Sequence, residues 1–118
     1  MNKEIKAKWI EALRSDRYIQ GRNVLKRYDK FCCLGVLCDI LDPTEWVKPP
    51  YSDACYYKGK ESWLAKEVLN TCNLETEGDS CFVRGLTDKD NNRMLYLTIL
   101  NDEGFTFSQI ADIIEYFF

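Results

Sequence analysis

The sequence predicts an α+β fold: a single compact, mostly helical domain of four to five helices with one or two short β-hairpins. Three observations carry that expectation. Apolar residues recur at helical spacing in several separate segments. Between two of these lies VLKRYDKFC (24–32), which reads as two short extended runs about the polar pair Asp29–Lys30. Near the end, Thr106 and Gln109 form a capping box, with Phe105 and Ile110 placed as its hydrophobic staple. A chain of 118 residues, 46% hydrophobic and 30% charged, fits one domain over 1–118 with its own core.

In chain order, residues 3–15 place Ile5, Trp9, Ala12 and Leu13 on one helical face, with Lys3, Lys6, Glu11 and Arg14 outside it. SDRYIQGRN (15–23) breaks the periodicity, and Gly21 permits a sharp change of direction. After the extended runs, CCLGVLCDIL (32–41) predicts a buried helix with Leu34, Leu37, Cys38 and Leu41 on one face. DPTEWVKPP (42–50) carries Pro43, Pro49 and Pro50, so a loop is expected there. A short strand is expected around Cys55–Tyr57. ESWLAKEVLNTCNL (61–74) reads as a helix with Trp63, Leu64, Val68, Leu69 and Cys72 inward. ETEGDS (75–80) reads as a loop and CFVRGL (81–86) as a short strand. Residues 90–101 are expected as a helix bearing Met94, Leu97 and Leu100. Gly104 stops it in a left-handed conformation, and the capped helix follows with Ile110, Ile113, Ile114 and Phe117 facing the core.

The chain has six cysteines and no histidine. No apolar run approaches the ~18 residues that cross a bilayer. The charged, amphipathic N-terminus is unlike a signal peptide, so a cytoplasmic setting and free thiols are expected. Zinc sites use paired ligands such as C-x-x-C, and none occurs here. Asp88, Asp90 and Asn92 begin like a calcium loop, but Arg93 and Ile99 stand where Gly and Glu are needed. No metal and no cofactor is expected. A nucleophilic Cys32 or Cys33 would have only a helix N-terminus to activate it. The preferred reading is structural thiols in a core helix, since cysteine packs as a small hydrophobe.

Charge is uneven: residues 1–60 hold 12 Lys/Arg against 8 Asp/Glu, and residues 61–118 hold 4 against 11. The richest basic part includes Arg14, Arg17, Arg22, Lys26, Arg27 and Lys30. It reads either as a solvated surface or as a recess for an anionic ligand, because arginine forks match phosphate oxygens. The excess is too small for duplex nucleic acid, and the final helix has no Lys or Arg to meet phosphate.

ALRSDRYIQGRNVLKRYDKFCCLGVLCDIL (12–41) and LTILNDEGFTFSQIADIIE (97–115) carry a resemblance. They resemble a family of small proteins encoded by bacteriophages and prophages. Its pattern includes Y-x-Q-G-x-x-x-L, F-C-C-L-G-V-L-C-D and L-N-D-x-G-x-[ST]-F-x-x-I-A-D-x-I-E. Asp16 stands where that pattern has a small residue, and Asn23 where glycine is common. The resemblance implies a phage setting in the host bacterial cytoplasm, and no particular reaction.

In that setting the expected function is a non-catalytic binding protein that antagonises a host immune system. Its preferred mode is sequestering an anionic, nucleotide-like signalling molecule. Tyr18 would stack on the base, Gln20 would read its edge, and Gly21 would let backbone approach. Arg17, Arg22 and Arg27 would hold phosphate, and Asn101 and Asp102 would add polar contacts. For Asn101 and Asp102, helix capping and turn formation compete with that role. The alternative is an inhibitor that covers a host defence protein with EWVKPPY (45–51) or EYFF (115–118). A cysteine-dependent enzyme is a second alternative. No membrane partner is expected, and a homo-oligomer remains open.

Overall fold

Asn2 opens the first helix, its Oδ1 accepting from the Ile5 N–H at 3.0 Å, and α1 runs Lys3–Arg14. The structure, a computed structural model, describes residues 1–74, 76–77, 80–87 and 94–118, with side chains at 1–74 and 96–118. α1 buries Trp9, Ala12 and Leu13 against α2 (Cys33–Leu41) and α5 (Phe107–Phe117). The Trp9 indole donates to the Cys33 carbonyl at 2.9 Å, so its one polar atom is satisfied inside the core. Lys6 Nζ donates to the carbonyls of Glu115 and Phe118, where a cation meets the negative end of α5. Arg14 pairs with Asp112 and Glu115 on the exposed side of the same contact. Such exposed pairs add little stability.

α2 is the centre of the molecule. Cys33, Leu34, Gly35, Val36, Leu37 and Cys38 are all buried, so this helix has almost no solvent face. The expected α5 is confirmed in detail: Thr106 Oγ1 accepts from the Gln109 N–H, and the Gln109 side chain accepts from the Thr106 N–H. Ile110, Ala111 and Ile114 are buried there, while Ile113 and Phe117 are half-buried.

A small sheet covers one side of α2. It comprises β1 (Ile19–Gln20), β2 (Lys26–Arg27), β3 (Lys30–Phe31), β4 (Trp46–Val47) and β5 (Ala54–Tyr57), in the order β1-β3-β2-β5-β4. β1 lies parallel to β3, with Ile19 opposite Lys30, and the other pairs are antiparallel. α3 spans Lys66–Cys72. A second sheet, β6 (Thr76–Glu77), β7 (Ser80–Thr87) and β8 (Met94–Tyr96), leads into α4 (Leu97–Asp102). The class is α+β as expected, with five α-helices among the described residues.

The differences from expectation have physical causes. Segment 15–23 contains a strand, because Ile19 and Gln20 pair with β3. The hairpin turns at Tyr28–Asp29 rather than Asp29–Lys30, with Tyr28 at φ 55°. Segment 42–50 holds a 3₁₀ turn at Pro43–Glu45 and then β4. The helix expected over 61–74 begins only at Lys66. Glu61 O accepts from the Leu25 N–H at 2.8 Å and Ser62 Oγ donates to Asn23 O, so 61–62 are held to the β2 approach. Trp63 is accordingly half-exposed rather than inward. Thr76–Glu77 is a strand where a loop was expected, and Met94–Tyr96 pairs with β7, so the helix expected at 90–101 starts at Leu97. The calcium-like Asp88, Asp90, Asn92 and Arg93 lie outside the described residues.

Cys32, Cys38, Cys55 and Cys72 are free thiols and, like Cys33, are buried. Burial pushes the Cys32 and Cys72 thiols up to about 11, and Cys38 higher still. These raised values contribute stability that is complete below the ordinary thiol value of 9.0 and is lost as pH rises through about 11. Labelling of the native protein at pH 8 should therefore leave these five thiols unmodified. Stability to urea should fall between pH 9 and 11. Rapid native labelling of Cys32 or Cys38 would contradict the packing described.

Gly35 is required by close approach. A Cβ there would lie 2.8 Å from the Leu25 carbonyl carbon and closer still to its oxygen. That oxygen accepts from the Cys32 N–H at 3.1 Å, so it has little freedom to move. Gly35→Ala should lower stability by about 3 kcal/mol or more, read from urea unfolding.

Candidate functional site

The RYIQGR segment reaches the C-terminal half of the chain through side-chain bonds. Gln20 Nε2 donates to Asn101 Oδ1 at 2.9 Å and to Phe105 O at 2.8 Å. Asn101 Nδ2 donates to Gly21 O at 2.8 Å and to Asp102 Oδ1 at 3.3 Å. Asn101 Oδ1 also accepts from the Cys33 N–H at 3.2 Å, at the first turn of α2. The Asn23 N–H donates to Asp102 Oδ1 at 2.9 Å. Asn101 is fully buried, and all four of its side-chain hydrogen-bonding valences are used.

Local backbone chemistry puts Asn101 there. α4 ends in a Schellman motif: the Phe105 N–H meets Leu100 O, the Gly104 N–H meets Asn101 O, and Gly104 takes φ 105°. On the other side, Gly21 donates to Phe31 O at 2.7 Å, and a Cβ on it would sit 3.0 Å from Lys30 Cβ. What approaches Gly21 is therefore β3 of the same chain. Asn23 takes φ 73°, a left-handed conformation that asparagine tolerates and glycine favours.

Beside this junction opens a cleft of about 450 Å³. Val24, Leu34 and Leu64 supply apolar wall, and the rings of Trp63 and Tyr96 line it. Its polar groups are Asn23, Ser62, Thr98 and Asp102, with Cys32 at its edge. A mostly apolar concavity of this size with a few polar groups is what small-molecule sites have in common.

The sequence-predicted site residues divide. Gln20, Gly21, Arg22, Asn101 and Asp102 are brought together, and of these Asp102 lines the cleft. Arg22 Nη2 lies 3.7 Å from the Cβ position of Gly104, two residues beyond Asp102. Its guanidinium forms no ion pair among the described residues. Arg17 is engaged elsewhere, with Glu11 at 3.3 Å and with Ser15. Tyr18 donates to Asp39 at 2.7 Å and packs edge-on against Phe31. Burial and that bond push its hydroxyl up to about 12. Arg27 is exposed on β2, opposite Lys30 and Ala54. Trp63, Ser62 and Tyr96 had no signal as site residues in the sequence, because the tether of 61–62 to Asn23 and Leu25 creates the cleft wall.

The family described as Domain of unknown function (DUF8296) matches residues 1–118. The chain belongs to that family. No curated protein and no solved structure matches it. The DUF8296 match spans both halves that Asn101 joins. No helix among the described residues is long and apolar enough to cross a membrane, and those residues hold no cluster of His, Cys, Asp or Glu suited to a metal ion.

Asn101→Ala would leave Gly21 O and the Cys33 N–H without their partner. One buried and one half-buried polar group left unmade should cost about 2–6 kcal/mol in urea unfolding. A loss below that range would mean that water replaces the amide without penalty.

Proposed function

We propose that the protein is a non-catalytic binding protein that sequesters an anionic, nucleotide-like molecule. The cleft takes the ring of the ligand and Arg22 meets its phosphate at the rim. The observation that carries this reading is an apolar cleft lined by Asn23 and Asp102, with Arg22, the residue before Asn23, in no ion pair among the described residues. Trp63 supports it: a large ring left 51% exposed at a cleft wall offers a face for stacking. In the phage setting implied by the motifs, the ligand would be a host immune signal, and sequestering it in the host cytoplasm would blunt the response.

Two features shape the competing readings. Tyr51 and Val47 are 83% and 63% exposed near the β4 edge, which favours a surface for a host defence protein. Cys32 borders the cleft, but with its thiol pushed up to about 11 it stands protonated at neutral pH. Calorimetric titration with linear and cyclic nucleotides tests the proposal. Arg22→Ala should weaken binding by about 1.5–3 kcal/mol with the fold unchanged in urea. If no nucleotide binds and one host protein is captured stoichiometrically, the inhibitor reading replaces this one. Consumption of a nucleotide that requires Cys32 would make the protein an enzyme.

A further inference from the structure

Two polar groups of the cleft, Asp102 and Ser62, have only accepting capacity left. Asp102 Oδ1 receives the Asn23 N–H at 2.9 Å and Asn101 Nδ2 at 3.3 Å. Those two bonds fix the carboxylate plane and leave Oδ2 without a donor among the described residues. Ser62 Oγ spends its single hydrogen on Asn23 O at 3.2 Å. Its remaining capacity is two lone pairs. Both residues line the cleft. A ring that turned carbonyl oxygens toward them would set acceptor against acceptor.

We infer that the cleft selects a ring with a donor-rich edge, of the guanine type, which Asp102 Oδ2 recognises through adjacent ring and exocyclic N–H groups. This rests on the nucleotide reading of the same cleft and specifies its ligand class. Guanine offers a ring N–H beside an exocyclic amino group, and the two lone pairs of Oδ2 would accept one hydrogen from each. Hypoxanthine lacks the amino group, adenine lacks the ring N–H on that edge, and uracil flanks its N–H with two carbonyls. A volume of about 450 Å³ is ample for a purine. In this reading Arg22, and not Asp102, meets the phosphate.

The test uses guanosine, inosine, adenosine and uridine 5′-monophosphates against the full chain. The guanosine nucleotide should bind roughly tenfold or more tightly than the inosine one, since one charge-assisted hydrogen bond separates them. Asp102→Asn keeps an acceptor for Asn23 and Asn101 but presents an amide donor to the cleft, and should abolish that preference. Urea unfolding of the variant shows whether the fold survives, and the wild-type ranking stands as a test without it. Equal affinity for all four, or a preference unchanged in Asp102→Asn, overturns the inference while Arg22-dependent binding keeps the nucleotide reading. If none of the four binds, the inference falls, while the nucleotide reading is decided by the titration with the wider set of linear and cyclic nucleotides.

Discussion

The fold depends on one buried amide. Asn101 is the only buried polar side chain among the described residues, and it joins three separate parts of the chain: the β1 exit at Gln20–Gly21, the start of α2 at Cys33, and its own helix end. Each partner is a group that would otherwise be a liability. Gly21 O lies where the chain leaves the sheet edge, and the Cys33 N–H belongs to a helix start whose N-cap, Cys32, makes no side-chain cap bond. An amide can serve both because it donates and accepts on opposite sides of one rigid plane. A carboxylate could not donate to Gly21 O, and an apolar residue could do neither.

That amide works only because backbones come unusually close around it. α2 meets the Leu25 carbonyl across Gly35, and β1 meets β3 across Gly21. The cysteines follow from the same crowding. Cys32, Cys33 and Cys38 are all buried, and burial pushes the Cys32 and Cys38 thiols up. The cluster that looks chemical in the sequence is thus part of the core.

What could be read in advance divides along the range of the forces involved. α1, α2 and α5 were legible because periodicity and a capping box act within a few residues, and Thr106 with Gln109 needs no help from the rest of the molecule. β1 was not legible: two residues paired in parallel to β3 leave no alternation to see. The start of α3 was misplaced for the same reason, since Glu61 and Ser62 are held by Leu25 and Asn23 across the fold. The candidate site splits likewise. Gln20, Arg22 and Asp102 could be singled out from residue type and motif, whereas Trp63 and Tyr96 become cleft walls only after the two halves meet. Arg17 and Tyr18 looked available and are instead engaged by Glu11 and Asp39.

The junction also explains how Arg22 can be positioned while its guanidinium is left without an ion pair among the described residues. The residue before it is held by two bonds, Gly21 N–H to Phe31 O and Asn101 Nδ2 to Gly21 O. The residue after it is held by Asn23 N–H to Asp102, in a left-handed conformation that turns the chain toward the cleft. The backbone of Arg22 is therefore fixed on both sides by groups that use nothing of its side chain. In the proposed anion-binding role, much of the entropy of placing the arginine would already be met by folding, and only the rotamers of one side chain would remain to be ordered. Arg17 is the contrast: its side chain bonds Ser15 and Glu11 on its own helix end, so recruiting it would mean breaking contacts first. Among the basic residues around Gly21, the fold thus prepares Arg22 and engages Arg17, although the two sit five positions apart in the same charged segment.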